Sequence, residues 1–215
     1  ERESTESWLT LLRDLKHRGL TFPRLTVADG HLGIWAAFGE MHPTGTEQRC
    51  WNHKIANVLN DLPKTVQRQA AERLKAMPYA EPQGECERRR DAFVRTYHKT
   101  DKKAVETLLR DGDRMVTFYA FPREHWRHLR TTTIVESPFS SVRLRTDASR
   151  RYKRVAGATA IIWKMLRVAE QAWRTLNASE LLPLVASGMT FKDGIALKSG
   201  HESNHLDHQP ERTAA

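Results

Sequence analysis

Trp8, Leu11, Leu12 and Leu15 recur at i, i+3, i+4 and i+7, and Gly19 follows where a C-terminal cap belongs, so this stretch predicts an amphipathic helix. Pro23 breaks the pattern. The short apolar run Leu25 to Ala28 then reads as a buried strand, and Leu32, Trp35 and Ala36 predict a helix ending near Gly39. Helix, strand, helix implies an α/β sheet core in this part of the chain. Gln48 to Trp51 predicts a second strand, and Ile55, Val58, Leu59 and Leu62 give helical spacing from His53 up to Pro63.

From there to Pro122 the period-2 signal is missing. Val66–Met77, Cys86–Tyr97 and Lys102–Leu109 read as helices, with breaks at Pro78, Pro82, Thr100 and the Asp111-Gly112-Asp113 turn. A last helical region is expected to start near Ser137-Pro138, loosen around Asp147 and resume over Val155–Leu176. There Ile161, Ile162, Met165, Leu166, Ala169 and Trp173 form one stripe, and Leu181–Val185 continues it briefly. Beyond Gly194 the chain is polar, so 197–215 is expected to be a flexible tail, and His201, His205 and His208 within it carry no assigned role. The divisions that follow are a sheet-bearing segment at 1–62, a helical insertion at 63–122, a C-terminal helical segment at 123–196, and the tail.

The 215 residues are enough for one sizeable core, and 28% charged with 39% hydrophobic residues excludes a disordered chain. Lys and Arg number 35 against 26 Asp and Glu, for a net charge of +9, which favours a polyanionic partner. The excess is local. Arg123 to Arg154 holds nine basic and three acidic residues, so that segment supplies +6 of the total. Two cysteines, with no apolar signal segment and no membrane-length run, point to a reducing cytoplasmic compartment and no membrane association. A start at Glu1, with helical pattern by the eighth residue, suggests that further sequence precedes it.

Few residues carry candidate chemistry. Asp29 ends an apolar run before Gly30, a place where a carboxylate can hold a divalent metal, although Asp before Gly equally suits a turn or a helix cap. Glu136, ahead of Ser137-Pro138, could bind metal or simply complement a helix dipole. Cys50 and His53 have the spacing of half a zinc site whose other half is missing, and a thiol nucleophile there lacks an orienting group. The basic stretch around Trp126 could meet a phosphate backbone, with Trp126 itself better placed in the core.

Taken in order, these segments resemble the transposases of mutator-type bacterial insertion sequences, within the DDE recombinases. The landmarks are Glu6-Ser7-Trp8, Asp14-Leu15-Lys16-His17-Arg18-Gly19-Leu20, Asp29-Gly30-His31-Leu32-Gly33 and Gln48-Arg49-Cys50-Trp51-Asn52-His53-Lys54 with Asn57-Val58-Leu59. They continue through His125-Trp126, Arg130-Thr131-Thr132, Glu136-Ser137, Arg143-Leu144-Arg145, Ala169-Glu170, Trp173-Arg174 and Asn177. The resemblance runs to about Gly194.

It implies a partial RNase H-like α/β catalytic core with a large all-helical insertion and a helical C-terminal region. Asp29 matches the family's second catalytic aspartate and Glu136 its final glutamate; Cys50 and His53 match its Cys-x-x-His signature. The implied cofactor is Mg2+ (or Mn2+) held by Asp29 and Glu136, and the implied reaction is phosphoryl transfer that cleaves transposon ends and joins them to target DNA. The implied partners are double-stranded DNA, as terminal inverted repeats and target, and further copies of the chain in a homo-oligomer. Arg127, Arg130, Arg143 and Arg145 are the expected phosphate contacts.

The chain also departs from the family pattern. The first aspartate belongs upstream of the helix at Trp8, before Glu1, so this portion by itself is expected to be inactive. Thr133-Ile134-Val135 also stands where an Asn-Pro pair usually follows the two threonines. The competing expectation is an inactive remnant that only binds nucleic acid.

Overall fold

The computed structural model describes residues 4–148 and 151–197. Arg150, and all of the expected tail but Leu197, lie outside them. The first helix, α1 (Thr5–His17), opens on a capping box in which Ser4 and Ser7 satisfy each other's backbone N–H groups. Its apolar face buries Leu9 and Leu12 against Ala37 of α2 (Leu32–Met41), with Phe22 and Phe38 alongside.

Between these helices runs β1 (Leu25–Ala28), and after α2 comes β2 (Thr46–Arg49). The two strands pair in parallel, from Leu25 opposite Thr46 to Ala28 opposite Arg49, and α2 is the crossover that parallel pairing requires. The observed β2 starts and ends two residues earlier than the apolar pattern suggests. Trp51 belongs to the next helix, where its ring enters the core and its indole N–H donates to the Met115 carbonyl at 2.9 Å.

The predicted helical block is present. Helices α3 (Trp51–Asn60), α4 (Lys64–Ala76), α5 (Gln83–Tyr97) and α6 (Lys102–Leu109) precede three short 3-10 turns and α7 (Trp126–Leu129). One apolar cluster extends from Trp51 through Leu74, Phe93, Leu108 and Phe118 to Trp126, so α3 packs into this block rather than standing apart with the strands. Buried polar side chains here bond to backbone groups of distant segments. Gln48 donates to the Met115 carbonyl and accepts from the Phe118 N–H. Lys54, 2% exposed, donates to the carbonyls of Thr107 and Arg110 at the end of α6 and to Asp111, a cation placed at a helix C-terminus.

The C-terminal region differs more from expectation. Helix α8 (Thr133–Ala148) begins ahead of Ser137-Pro138 and carries Pro138 inside it. Its first turn is started by Thr132, whose carbonyl accepts from the N–H groups of Val135 and Glu136. Helix α9 (Val155–Glu170) ends before Leu176 and packs on α8 without burying any residue. After α10 (Leu182–Ala186) comes a hairpin absent from the sequence reading: β3 (Phe191–Lys192) pairs antiparallel with β4 (Ile195–Ala196) around Asp193-Gly194, both at positive φ. Asp193 accepts from the Gln83 N–H at 2.7 Å and so caps the start of α5.

The chain is thus an α/β mixture dominated by helices, as expected at the coarser level, while two parallel strands are too few to define an RNase H-like sheet. Among the described residues, no helix is long and apolar enough to cross a membrane.

Candidate active site

Asp29 leaves the C-terminal end of β1, the end at which open α/β sheets place their ligand crevices. Its carboxylate is exposed and accepts from the His31 N–H at 3.1 Å, closing a tight turn through Gly30 at φ +93°. The glycine serves a steric purpose as well. The Arg49 guanidinium lies 2.2 Å from where a Cβ on residue 30 would stand. Arg49 is 5% exposed, and burial pushes its guanidinium below the ordinary value while Asp111, and after it Asp29, act in the opposite direction.

One residue beyond β2, Cys50 caps α3 and donates its backbone N–H to the Ala28 carbonyl at 2.8 Å, so the residue before Asp29 is tied to the signature cysteine. The Cys50 side chain is buried as a free thiol. Its sulfur lies 3.4 Å from the Thr132 N–H nitrogen and 3.2 Å from the Thr132 hydroxyl. That hydroxyl also donates to Glu136 Oε1 and lies 3.5 Å from His53 Nδ1, while His53 Nδ1 is 3.8 Å from Glu136 Oε1. Beside this cluster Asn52 donates to the Thr133 hydroxyl at 3.2 Å, and the Trp51 N–H to the Arg130 carbonyl at 2.9 Å.

The start of α3 and the start of α8 are therefore stitched together by side chains, and Cys50, His53 and Glu136 meet around Thr132. Glu136 sits within the first turn of α8, where its charge suits the helix dipole, and remains half exposed at the surface. Thr132 and Arg49 are the participants that residue-type reasoning passed over. The only hint to Thr132 was its place in the Arg-Thr-Thr landmark, and the hint to Arg49 was its place next to Cys50.

A model of the mutator family of transposases matches residues 1–175. The chain belongs to the mutator transposase family. It is similar to the transposase for insertion sequence element IST2 of Acidithiobacillus ferrooxidans, at 43% identity over 90% of this chain and 66% of that protein. It is also similar to the transposase for insertion sequence element IS6120 of Mycolicibacterium smegmatis, at 42% identity over 92% of this chain and 61% of that protein. The similarity extends to the transposase for insertion sequence element ISRM5 of Rhizobium meliloti, at 26% identity over 82% of this chain and 44% of that one. The chain spans less than two thirds of the length of each of these mutator transposases.

The four arginines expected at DNA divide within this mutator-family fold. Arg127, Arg143 and Arg145 are exposed. Arg130 is not: at 9% exposure its guanidinium lies 4.8 to 5.6 Å from the ring centres of Tyr79, Phe118 and Trp126, where a delocalised cation is stabilised by aromatic faces. Its position is that of a core residue, unlike the exposed positions of the other three. Trp126, 2% exposed, is in the core as expected.

Among the described residues, no group of three His, Cys, Asp or Glu could enclose a metal ion. Asp29 and Glu136 nevertheless suit Mg2+ in donor chemistry. Both are carboxylates accessible from solvent, and Mg2+ is commonly bound through one or two carboxylates together with substrate phosphates.

Proposed function

We propose that this chain carries two of the carboxylates of a DNA transposase that cleaves the ends of its element and joins them to target DNA by in-line phosphoryl transfer. The observation that carries the reading is the continuous path from the Asp29 segment through Cys50 and Thr132 to Glu136, in a chain of the mutator transposase family. Asp29 and Glu136 are the residues that would hold Mg2+ or Mn2+, whose chemistry when bound is to acidify the attacking water or 3′-hydroxyl and to neutralise charge on the leaving oxygen.

The side chains around them have separable tasks. Arg49 fixes the Gly30 turn from below and sets where the Asp29 carboxylate emerges. Arg127, Arg143 and Arg145 supply exposed positive charge for the phosphates of the terminal repeats, on the segment that holds most of the net charge. Family membership supports an RNase H-like core, completed by sequence corresponding to the remainder of the relatives' length, and action as a multimer on paired ends.

In a transposase of the relatives' full length containing this sequence, Asp29→Ala and Glu136→Ala should each abolish Mg2+-dependent cleavage of element-end DNA while leaving DNA binding in place. Unchanged cleavage in both variants would overturn the assignment. A second reading, DNA binding without catalysis by this chain alone, is supported by the +6 segment. Salt-sensitive binding with no metal-dependent nicking would favour it, and nicking by the isolated chain would end it.

A further inference from the structure

The family's Cys-x-x-His signature has no third or fourth ligand around it among the described residues, yet both of its side chains converge on one hydroxyl. We propose that Thr132 is a positioning residue for Glu136, and that Cys50 and His53 are the anchor against which it works. The proposal rests on the assignment of Glu136 to the catalytic end of the sheet.

Thr132 has a single hydroxyl proton, and the carboxylate is its strongest acceptor, so the proton goes to Glu136 Oε1. The hydroxyl oxygen is then free to accept from the Cys50 thiol at 3.2 Å, or from His53 Nδ1 at 3.5 Å in the tautomer that carries the proton there. The Thr132 N–H in turn points at the Cys50 sulfur. Two contacts to a thiol that is 1% exposed hold the threonine, and the threonine holds a half-exposed carboxylate whose other neighbour is His53 Nδ1 at 3.8 Å.

Thr132 stands one residue ahead of α8 and Glu136 lies in the first turn of that helix, so the hydroxyl meets the carboxylate at the helix start. The far end of the path is also defined, because Cys50 is bonded through its N–H to Ala28, the neighbour of Asp29. Three contacts, Ala28 to Cys50, Cys50 to Thr132 and Thr132 to Glu136, therefore set the separation of two carboxylates that lie more than a hundred residues apart in sequence. Hydrogen-bonding partners that orient a metal-binding carboxylate typically change affinity or activity by 10- to 100-fold when removed.

The test uses the full-length transposase and three variants. Thr132→Val keeps the shape and removes the hydroxyl, Thr132→Ala removes both, and Thr132→Ser keeps the hydroxyl alone. Metal-free binding to element-end DNA identifies which variants are folded. Mn2+ affinity, read from the paramagnetic resonance signal of the free ion, should weaken about 10- to 100-fold in the folded variants lacking the hydroxyl and recover in Thr132→Ser, with cleavage rate following the same order. Equal Mn2+ affinity across wild type, Val, Ala and Ser would overturn the proposal, and so would a Ser variant as weak as Ala. If Glu136→Gln itself leaves Mn2+ affinity and cleavage unchanged, the failure lies with the carboxylate assignment and not with Thr132.

Discussion

The Arg130 carbonyl accepts a hydrogen bond from the Trp51 N–H at 2.9 Å while its guanidinium stands 5.6 Å from the ring centre of Trp126, so Arg130 joins the start of α3 to the aromatic core at both of its ends. Arg143 and Arg145, with the same charge and thirteen and fifteen residues further on, stand exposed on α8.

That contrast gives a salt experiment. Arg130→Ala should destabilise the protein by about 2–4 kcal/mol, through loss of a buried side chain and its ring contacts, and leave the salt dependence of DNA binding in the folded protein unchanged. Arg143→Gln and Arg145→Gln should each reduce the slope of log Kobs against log salt by about 1 and shift stability by no more than about 0.5 kcal/mol. Denaturant melts and binding isotherms at several salt concentrations separate the two behaviours.

Gly30 offers a steric test of the Asp29 turn. Its φ of +93° disfavours any side chain, and a Cβ there would collide with Arg49 at 2.2 Å. Gly30→Ala should therefore cost at least about 1–2 kcal/mol and reduce cleavage by the full-length enzyme, because the guanidinium beneath the turn must move. Gly39→Ala is the control: it lies in α2 with nothing within 4 Å of the added carbon, and should raise stability by up to about 1 kcal/mol.

A pH experiment follows from His128. Burial in the first place, and the neighbouring Arg127 charge in the second, lower its pKa from the ordinary histidine value. The unfolded chain, near 6.5, therefore takes up a proton before the folded one does. Stability linked to this residue is complete above about pH 6.5 and is lost as the pH falls toward the folded value. Urea melts at pH 7.5 and 5.5 should show a smaller acid-induced loss in His128→Gln than in wild type.

How much of this was legible in the sequence depended on element length and on residue type. Strand β1 and helix α6 were bounded to the residue, because an apolar run after Pro23 and a short helical pattern between Thr100 and the Asp111-Gly112-Asp113 turn leave little choice. The β3–β4 hairpin escaped, since two-residue strands carry no readable alternation. Pro138 was taken as a helix start because proline suits a first turn, whereas hydrogen bonds to the Thr132 carbonyl begin α8 earlier. The burial of Arg130 was illegible for a related reason: charge predicts exposure unless aromatic rings from other segments assemble around it, as Tyr79 and Phe118 do here. Asp29, Cys50, His53 and Glu136 were named from their residue types and order, but the hydroxyl that gathers three of them was not, because one threonine has no periodic signature.

Strand β2 passes into helix α3 through Cys50 alone, with no loop between them. A connection that short has no slack. Any rotation of α3 must turn Cys50, and the Cys50 N–H bond to Ala28 hands that movement directly to the strand that ends at Asp29. The helical block that packs on α3 is thereby joined to the strand ending at Asp29 through a single residue, the signature cysteine.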